Sequence, residues 1–132
     1  GLWDVSRVTD FWRVFDAQRR NHALRQFDED LSGWDVSNGT NFGCMFYRCK
    51  SFNGDISSWN VANATNMNRM FWRCSSFNGD ISSWDLSSAT NLYAMFFGCS
   101  SFNGDVSSWN VSNATDLSSM FYRCTSFNGD VS

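Results

Sequence analysis

A 25-residue period runs through most of this chain of 132 residues. Self-similarity at a fixed spacing of this size is typical of repeat proteins, in which each repeat is one coil and equivalent residues stack in columns. No other feature constrains the fold as much, because the period decides which residues become neighbours. Two aromatic sets carry it: Trp34, Trp59, Trp84 and Trp109, and Phe27, Phe52, Phe77, Phe102 and Phe127.

The period predicts one domain, a single solenoid array that spans residues 1–132. Six extra residues, Arg19 to Leu24, make the first repeat irregular. Both ends of the chain fall inside the repeat pattern, so we expect a piece of a longer array, or ends that something else covers. The predicted units are an irregular repeat over 1–26 with an insert at 19–24, repeats over 27–51, 52–76, 77–101 and 102–126, and the start of a truncated repeat over 127–132.

The first half of each unit predicts a short strand. Ile56, Trp59 and Val61 fit the strand spacing of leucine-rich repeats, L-x-x-L-x-L. The polar residues between them then point to the opposite, solvent side. The preceding Asn53-Gly54-Asp55 predicts a turn, since Asn and Gly tolerate positive φ.

The second half of each unit predicts a short helix that Thr65 or Asn66 can cap. Its apolar residues follow at i, i+3, i+4 and i+7, which places them on one stripe facing the strand. The predicted fold is therefore an α/β repeat, a leucine-rich-repeat-like solenoid of about five 25-residue coils, each a short strand plus a short helix. In one repeat this stripe consists of Met67, Met70, Phe71 and Cys74.

Composition excludes several classes of protein. With 42% hydrophobic and 17% aromatic residues the chain can bury a continuous core. A net charge of -3 with Lys50 as the one lysine argues against a surface that binds nucleic acid and against a basic patch that binds membranes. No apolar run approaches the roughly 18 residues of a membrane span. We therefore expect no nucleic-acid partner and no membrane insertion in this segment.

No catalytic, cofactor-binding or metal-binding constellation stands out from the repeat, so we expect no enzyme activity and no cofactor. The small polar residues of the predicted strands are candidates for a binding surface, because they repeat on a rigid support. We call this surface the serine face. It comprises Ser57, Ser58, Asn60, Ser82, Ser83, Asp85, Ser107, Ser108 and Asn110.

Cysteine recurs at the end of the predicted helical stripe. A buried, inert thiol explains this column best, because a small apolar group packs well there. Disulfides between coils need a torsion that parallel side chains do not provide, and metal binding has only His22 to draw on. Cys44 instead occupies a predicted outer position, where it can be a reactive or intermolecular thiol. The column consists of Cys49, Cys74, Cys99 and Cys124.

Aspartate forms a second column. Either each carboxylate accepts backbone amides in its own turn, or the column binds calcium, which is coordinated by six to eight oxygens. A nearby column alternates between Asp and Asn, as at Asp35, Asn60, Asp85 and Asn110, and we expect it to be exposed. The aspartate column consists of Asp30, Asp55, Asp80, Asp105 and Asp130.

Four asparagines lie in N-x-[ST] triplets, which are glycan acceptors in secreted eukaryotic proteins. The alternative is that the triplets simply follow from the repeat. The insert at 19–24 either contacts a partner or only extends a surface helix. The candidate acceptors are Asn38, Asn63, Asn110 and Asn113.

The repeat motif W-[DN]-[VL]-x-x-x-T-[ND]-x-x-x-M-F-x-x-C-x-S-F-x-x-D-[ILV]-S-x-W runs from Trp34 to Ser132 and partly from Gly1 to Phe27. It resembles the BspA-like leucine-rich-repeat surface-protein family, whose repeats are also classed as a domain of unknown function. One departure is Gln18, which stands where the repeat has Cys. The resemblance implies an extracellular or cell-surface role in adhesion, with no known enzyme activity.

We therefore expect a non-enzymatic cell-surface adhesion or recognition module that binds a protein or a glycan. The alternative is a structural scaffold or spacer subunit of a larger assembly, whose partners are neighbouring subunits. A partner along the serine face favours recognition, whereas contacts at the coil ends favour a scaffold.

Overall fold

The computed structural model describes residues 3–129, and regular secondary structure is almost absent from this range. The one helix described is a 3₁₀-helix, His22–Gln26, and no strand or sheet forms within the same range. The predicted α/β repeat is therefore wrong, and the chain is not a leucine-rich-repeat-like solenoid of strand and helix. Successive coils meet instead at isolated parallel bridges: Asp10 to Asn41, Asn41 to Asn66, Asn66 to Asn91 and Asn91 to Asp116.

Hydrogen bonds between coils take the place of the predicted helix. Alternate amides from 67 to 73 donate to the next coil. Between them, the amides of Met70 and Trp72 donate three residues back within their own coil, and the Asn68 amide donates to the Asn66 side chain. An α-helix needs each amide to donate four residues back, so this segment cannot wind into one. The pairs at this interface are Met67 to Asn91, Arg69 to Tyr93, Phe71 to Met95 and Arg73 to Phe97, with N···O distances of 2.7 to 2.9 Å.

Two left-handed residues interrupt this segment in each of several coils. Arg69 has a φ of 54° and Arg73 a φ of 57°. Such angles cost a non-glycine residue about 1–2 kcal/mol, and the bonds to the neighbouring coil offset that cost. The left-handed residues are Arg13, Cys44, Arg69, Ala94 and Ser119 in one column and Arg48, Arg73, Gly98 and Arg123 in another.

Tight turns take the place of the predicted strand. The Trp59 amide donates to the Ile56 carbonyl at 3.2 Å, and the Ala64 amide donates to the Val61 carbonyl at 2.9 Å. All four of these side chains are buried. The residues at the L-x-x-L-x-L positions therefore face inward from tight turns, and no strand is needed to bury them.

The Asn-Gly-Asp segment does not form the predicted positive-φ turn. Gly54 and Gly79 are not among the residues of positive φ. A Cβ at Gly54 would lie 2.8 Å from Phe52 Cε1, and one at Gly79 would lie 2.9 Å from Phe77 Cε1. Glycine stands here because the backbone runs directly against an aromatic ring.

Columns of parallel aromatic rings form the core. Phe46 and Phe71 stack with ring centroids 5.5 Å apart, and Phe71 and Phe96 repeat the same distance. Phe52 and Phe77 stack at 6.1 Å in the adjoining column. Each coil thus buries its rings against the equivalent rings of its neighbours, and such ring pairs stabilise beyond the area that they bury.

The irregular first repeat is held by a buried carboxylate. Asp16 is buried and forms an ion pair with Arg13. Its Oδ1 accepts the amides of Gln18 and Arg19, at 2.8 and 2.9 Å. The insert at 19–24 then leads into the 3₁₀-helix His22–Gln26, which Asn21 caps.

Candidate recognition surface

The serine face does not lie on strands, and its hydroxyls already make internal hydrogen bonds. Ser58 Oγ donates to the Ser32 carbonyl at 3.3 Å, and Ser83 Oγ donates to the Ser57 carbonyl at 3.2 Å. Ser108 repeats this bond to the coil before it. All three residues are exposed. Their surface is accessible, but its donors hold neighbouring coils together.

The aspartate column caps turns, as the first alternative predicted. Asp55 Oδ1 accepts the Ser57 amide at 3.0 Å and the Ser57 hydroxyl at 2.6 Å. The Ser57 hydroxyl first, and then its amide, lower the pKa of Asp55 below the usual 3.8. Asp80 has the same partners in Ser82. Asp30 and Asp105 likewise cap turns, and Asp130 lies outside the described residues.

The alternating Asp/Asn column caps a second turn in each coil. Asp35 accepts the Ser37 amide and Asn60 accepts the Ala62 amide, both at 3.0 Å. Asp85 and Asn110 do the same in their coils. Either residue serves, because the turn requires only an acceptor oxygen two residues before the amide.

Three of the candidate glycan acceptors connect coils. Asn63 Nδ2 donates to the Ser37 carbonyl at 2.9 Å, and Asn113 Nδ2 donates to the Ser87 carbonyl at 2.6 Å. Asn38 Nδ2 makes the corresponding bond to the first coil. These asparagines are exposed and have a structural role in the stack.

The cysteine column is buried and free of disulfides, as predicted. Each thiol donates to a carbonyl of the preceding coil, for example Cys74 Sγ to the Phe46 oxygen at 2.9 Å. Burial raises the pKa of Cys49 to about 12 and that of Cys124 to about 11. The prediction for Cys44 is wrong: its side chain is buried, and burial raises its pKa.

A column of aromatic rings at the surface is the strongest candidate for a binding site. Tyr47 and Trp72 stack with centroids 5.7 Å apart, and Trp72 and Phe97 stack at 3.9 Å. Phe97 and Tyr122 continue the row at 5.1 Å. The first three are half-buried and Tyr122 is exposed. We call these four residues the aromatic column.

Arginines flank the aromatic column. The Arg48 guanidinium lies 5.9 Å from the Tyr47 ring centroid, and that of Arg123 lies 5.5 Å from the Tyr122 centroid. Arg69 lies over Trp72, at 5.8 Å. Sequence reasoning missed this site, although an aromatic residue after each Met-Phe pair was a visible signal of it.

Charge separates around the coil. Segments 42–50, 67–75, 92–100 and 117–125 contain no acidic residue, and segments 26–41, 51–66, 76–91 and 101–116 contain no lysine or arginine. The aromatic column belongs to the first set, so it lies on a basic side of a chain whose net charge is -3. The basic residues of this side are Arg48, Lys50, Arg69, Arg73 and Arg123.

Residues 3–129 contain neither a cluster of metal ligands nor a membrane-spanning helix. Within this range no three His, Cys, Asp or Glu side chains come together in a way that could hold a metal ion. Nor does any helix of the range have the length and apolar character needed to cross a lipid bilayer.

Comparison with known proteins identifies the family. The model of the family described as Mycoplasma protein of unknown function, DUF285, matches residues 1–77 and again residues 55–132. No curated protein and no solved structure matches the chain. The two matches together span the whole sequence, and the chain therefore belongs to the DUF285 repeat family.

Proposed function

We propose that this chain is a non-enzymatic recognition module whose aromatic column binds an acidic segment of a partner protein. The row of stacked rings flanked by arginines carries the proposal. Aromatic residues and arginine are enriched at protein interfaces and dominate their hot spots. The serine face serves less well, because its hydroxyls already donate to neighbouring coils.

The geometry of the rings favours a protein over a glycan. Trp72 and Phe97 are almost parallel, with 6° between their planes. Their faces cover one another, so these two rings present their edges to solvent. The edge of an aromatic ring carries the positive part of its quadrupole, which attracts carboxylate and carbonyl oxygens. Stacking of a sugar requires an open ring face.

The charges favour an acidic partner. Arg48, Arg73 and Arg123 lie in one column beside the rings, and the nearby sequence segments contain no carboxylate to neutralise them. Complementary charge increases the association rate and selects against basic partners. The net charge of -3 disfavours nucleic acid as the partner.

The resemblance to BspA-like surface proteins supports an extracellular or cell-surface location for this module and a role in adhesion. The location is testable by fractionating cells that express the complete natural protein. If the module faces outward, protease treatment of intact cells should digest it, and an antibody against the module should then no longer detect it.

Fluorescence anisotropy tests the binding proposal. The probes are two labelled peptides of equal length, one with alternating Glu and Ser and the other with Gln in place of Glu. We expect the Glu peptide to bind, the Gln peptide not to bind, and affinity to fall as salt rises. Equal binding of both peptides, or of neither, contradicts the proposal.

Matched variants locate the surface. Arg73→Gly replaces Arg73 by the residue that the chain has at Gly98, which is also left-handed, so the fold should persist. Combined with Arg48→Gln, it should weaken binding of the Glu peptide, whereas Ser58→Ala should not. If the wild-type chain instead self-associates in sedimentation experiments and binds neither peptide, the scaffold alternative replaces recognition.

A further inference from the structure

We propose that a pocket between the first and third coils binds a doubly charged oxyanion such as phosphate. Five residues line this pocket: Arg13, Gln18, Arg19, Tyr47 and Arg69. The inference goes beyond the proposed function, because a small anion can bind here whether or not the aromatic column binds a protein.

The pocket exists because a small residue stands between two arginines. Arg13, Cys44 and Arg69 occupy equivalent positions in three successive coils, and all three are left-handed. Cys44 is buried, so its side chain leaves the space between the two guanidinium groups open. The resulting pocket has a volume of about 280 Å³.

Charge in and beneath the pocket favours a dianion. The three arginines contribute +3, and Asp16, which pairs with Arg13, contributes -1, so the local sum is +2. The same groups surround the Cys44 thiol: burial raises its pKa, Arg13, Arg69 and Arg19 lower it, and Asp16 raises it. All three cations line the same pocket.

Two of the arginines are held in place before any ligand arrives. The Arg69 guanidinium lies 4.6 Å from the Tyr93 ring centroid, and its Nη1 donates to Asn68 Oδ1 at 3.2 Å. The Arg13 guanidinium lies 4.8 Å from the Trp12 ring centroid and pairs with Asp16. A guanidinium offers a planar fork of donors that matches phosphate oxygens, and holding it in place reduces the entropy lost on binding.

Arg19 and Gln18 provide further donors at the start of the insert. Their amides are fixed on Asp16 Oδ1, and both side chains are exposed, so they can close over an ion from the solvent side. Arg20 Nε donates to the Arg13 carbonyl and holds the insert against the same coil. Gln18 stands where later repeats have a buried cysteine, which places a polar group at this pocket alone.

Isothermal titration calorimetry with inorganic phosphate tests the site, and acetate serves as the singly charged comparison. We expect one phosphate per chain and much weaker acetate binding. Methyl phosphate distinguishes the source of the ligand: equal binding indicates a phosphate ester, and preference for the inorganic ion indicates free phosphate. No phosphate binding by the folded wild-type chain overturns the inference.

Variants assign the binding to these side chains. Arg69→Ser introduces the residue that the chain has at Ser119 with the same left-handed backbone, so the variant should fold. We expect Arg69→Ser and Arg19→Gln each to weaken phosphate binding roughly ten-fold. Arg7→Gln removes the same charge from an exposed residue outside the pocket lining and should leave affinity unchanged. Equal loss in all three variants means non-specific attraction and contradicts the inference.

Discussion

The indole Nε1 of Trp84 donates a hydrogen bond to the Ile56 carbonyl oxygen of the preceding coil, at 3.1 Å. Trp59 and Trp109 make the same bond to their preceding coils. Trp84 is buried and its ring stacks on Trp59, with centroids 6.4 Å apart. One side chain therefore fills the core and satisfies a backbone carbonyl of the neighbouring coil.

Truncation of Trp84 should separate these two roles. We expect Trp84→Phe to cost about 1 kcal/mol, because the Ile56 carbonyl loses one of its two donors and keeps the Trp59 amide. Trp84→Ala should cost about 3–5 kcal/mol through the cavity that it leaves. Urea denaturation measures both values. Hydrogen exchange should show the loss of protection in the coils of Trp59 and Trp109 first, and unchanged protection there would contradict direct stacking of the coils.

The buried thiols should be unreactive while the protein is folded. Burial raises the pKa of Cys74 and Cys99 well above the usual 9.0. Since the thiolate is the reactive form, we expect maleimide to label none of the five cysteines until denaturant is added. Mass spectrometry of the labelled protein measures this. Fast labelling of Cys44 in the native state would show that its side chain is exposed and would contradict its burial.

High pH should unfold the protein for the same reason. The folded pKa of Cys49 is raised to about 12, above the value of 9.0 for an unperturbed thiol. Stabilisation by the neutral thiol is complete below about pH 9 and is lost as the pH rises towards 12. The melting temperature should fall over this range. Cys49→Ala should show a smaller fall, and an equal fall would assign the effect to other groups.

Acid should weaken the stack through the aspartate column. Hydrogen bonds from Ser82 lower the pKa of Asp80 below 3.8, and those from Ser107 do the same for Asp105. Stabilisation by the charged form is complete above about pH 4 and is lost as the pH falls through the lower folded values. Circular dichroism melts should show this decline. Asp80→Asn should reduce it, since the amide oxygen still caps the turn as in Asn60.

A left-handed glycine should be sensitive to substitution. Gly98 has a φ of 73°, and an added Cβ would lie 3.1 Å from Arg73 Cγ. We expect Gly98→Ala to cost about 1 kcal/mol. Gly33→Ala is the matched control, because nothing lies within 4 Å of a Cβ there. Chemical denaturation of both variants should therefore give different midpoints, and equal midpoints would argue against the left-handed geometry at Gly98.

The sequence by itself determined which residues become neighbours. Equal spacing places each Trp, Phe and Cys beside its equivalent one repeat away, and the structure stacks Phe46 on Phe71 in this way. The acidic turns were also predictable, because the hydrogen bond from an amide to the Asp two residues before it depends only on the local chain. The period, the buried thiols and the capped turns needed no knowledge of the path between them.

Only the tertiary structure decided the path of the backbone. Residues at i, i+3, i+4 and i+7 face inward in a helix, but they also face inward in a run of turns, so spacing cannot distinguish the two. The amides of Arg69 and Phe71 donate to the next coil, and that choice exists only once a neighbouring coil is in place to accept them. The arginine pocket has the same origin, because Arg13 and Arg69 belong to different coils and meet only when the coil of Cys44 stacks between them.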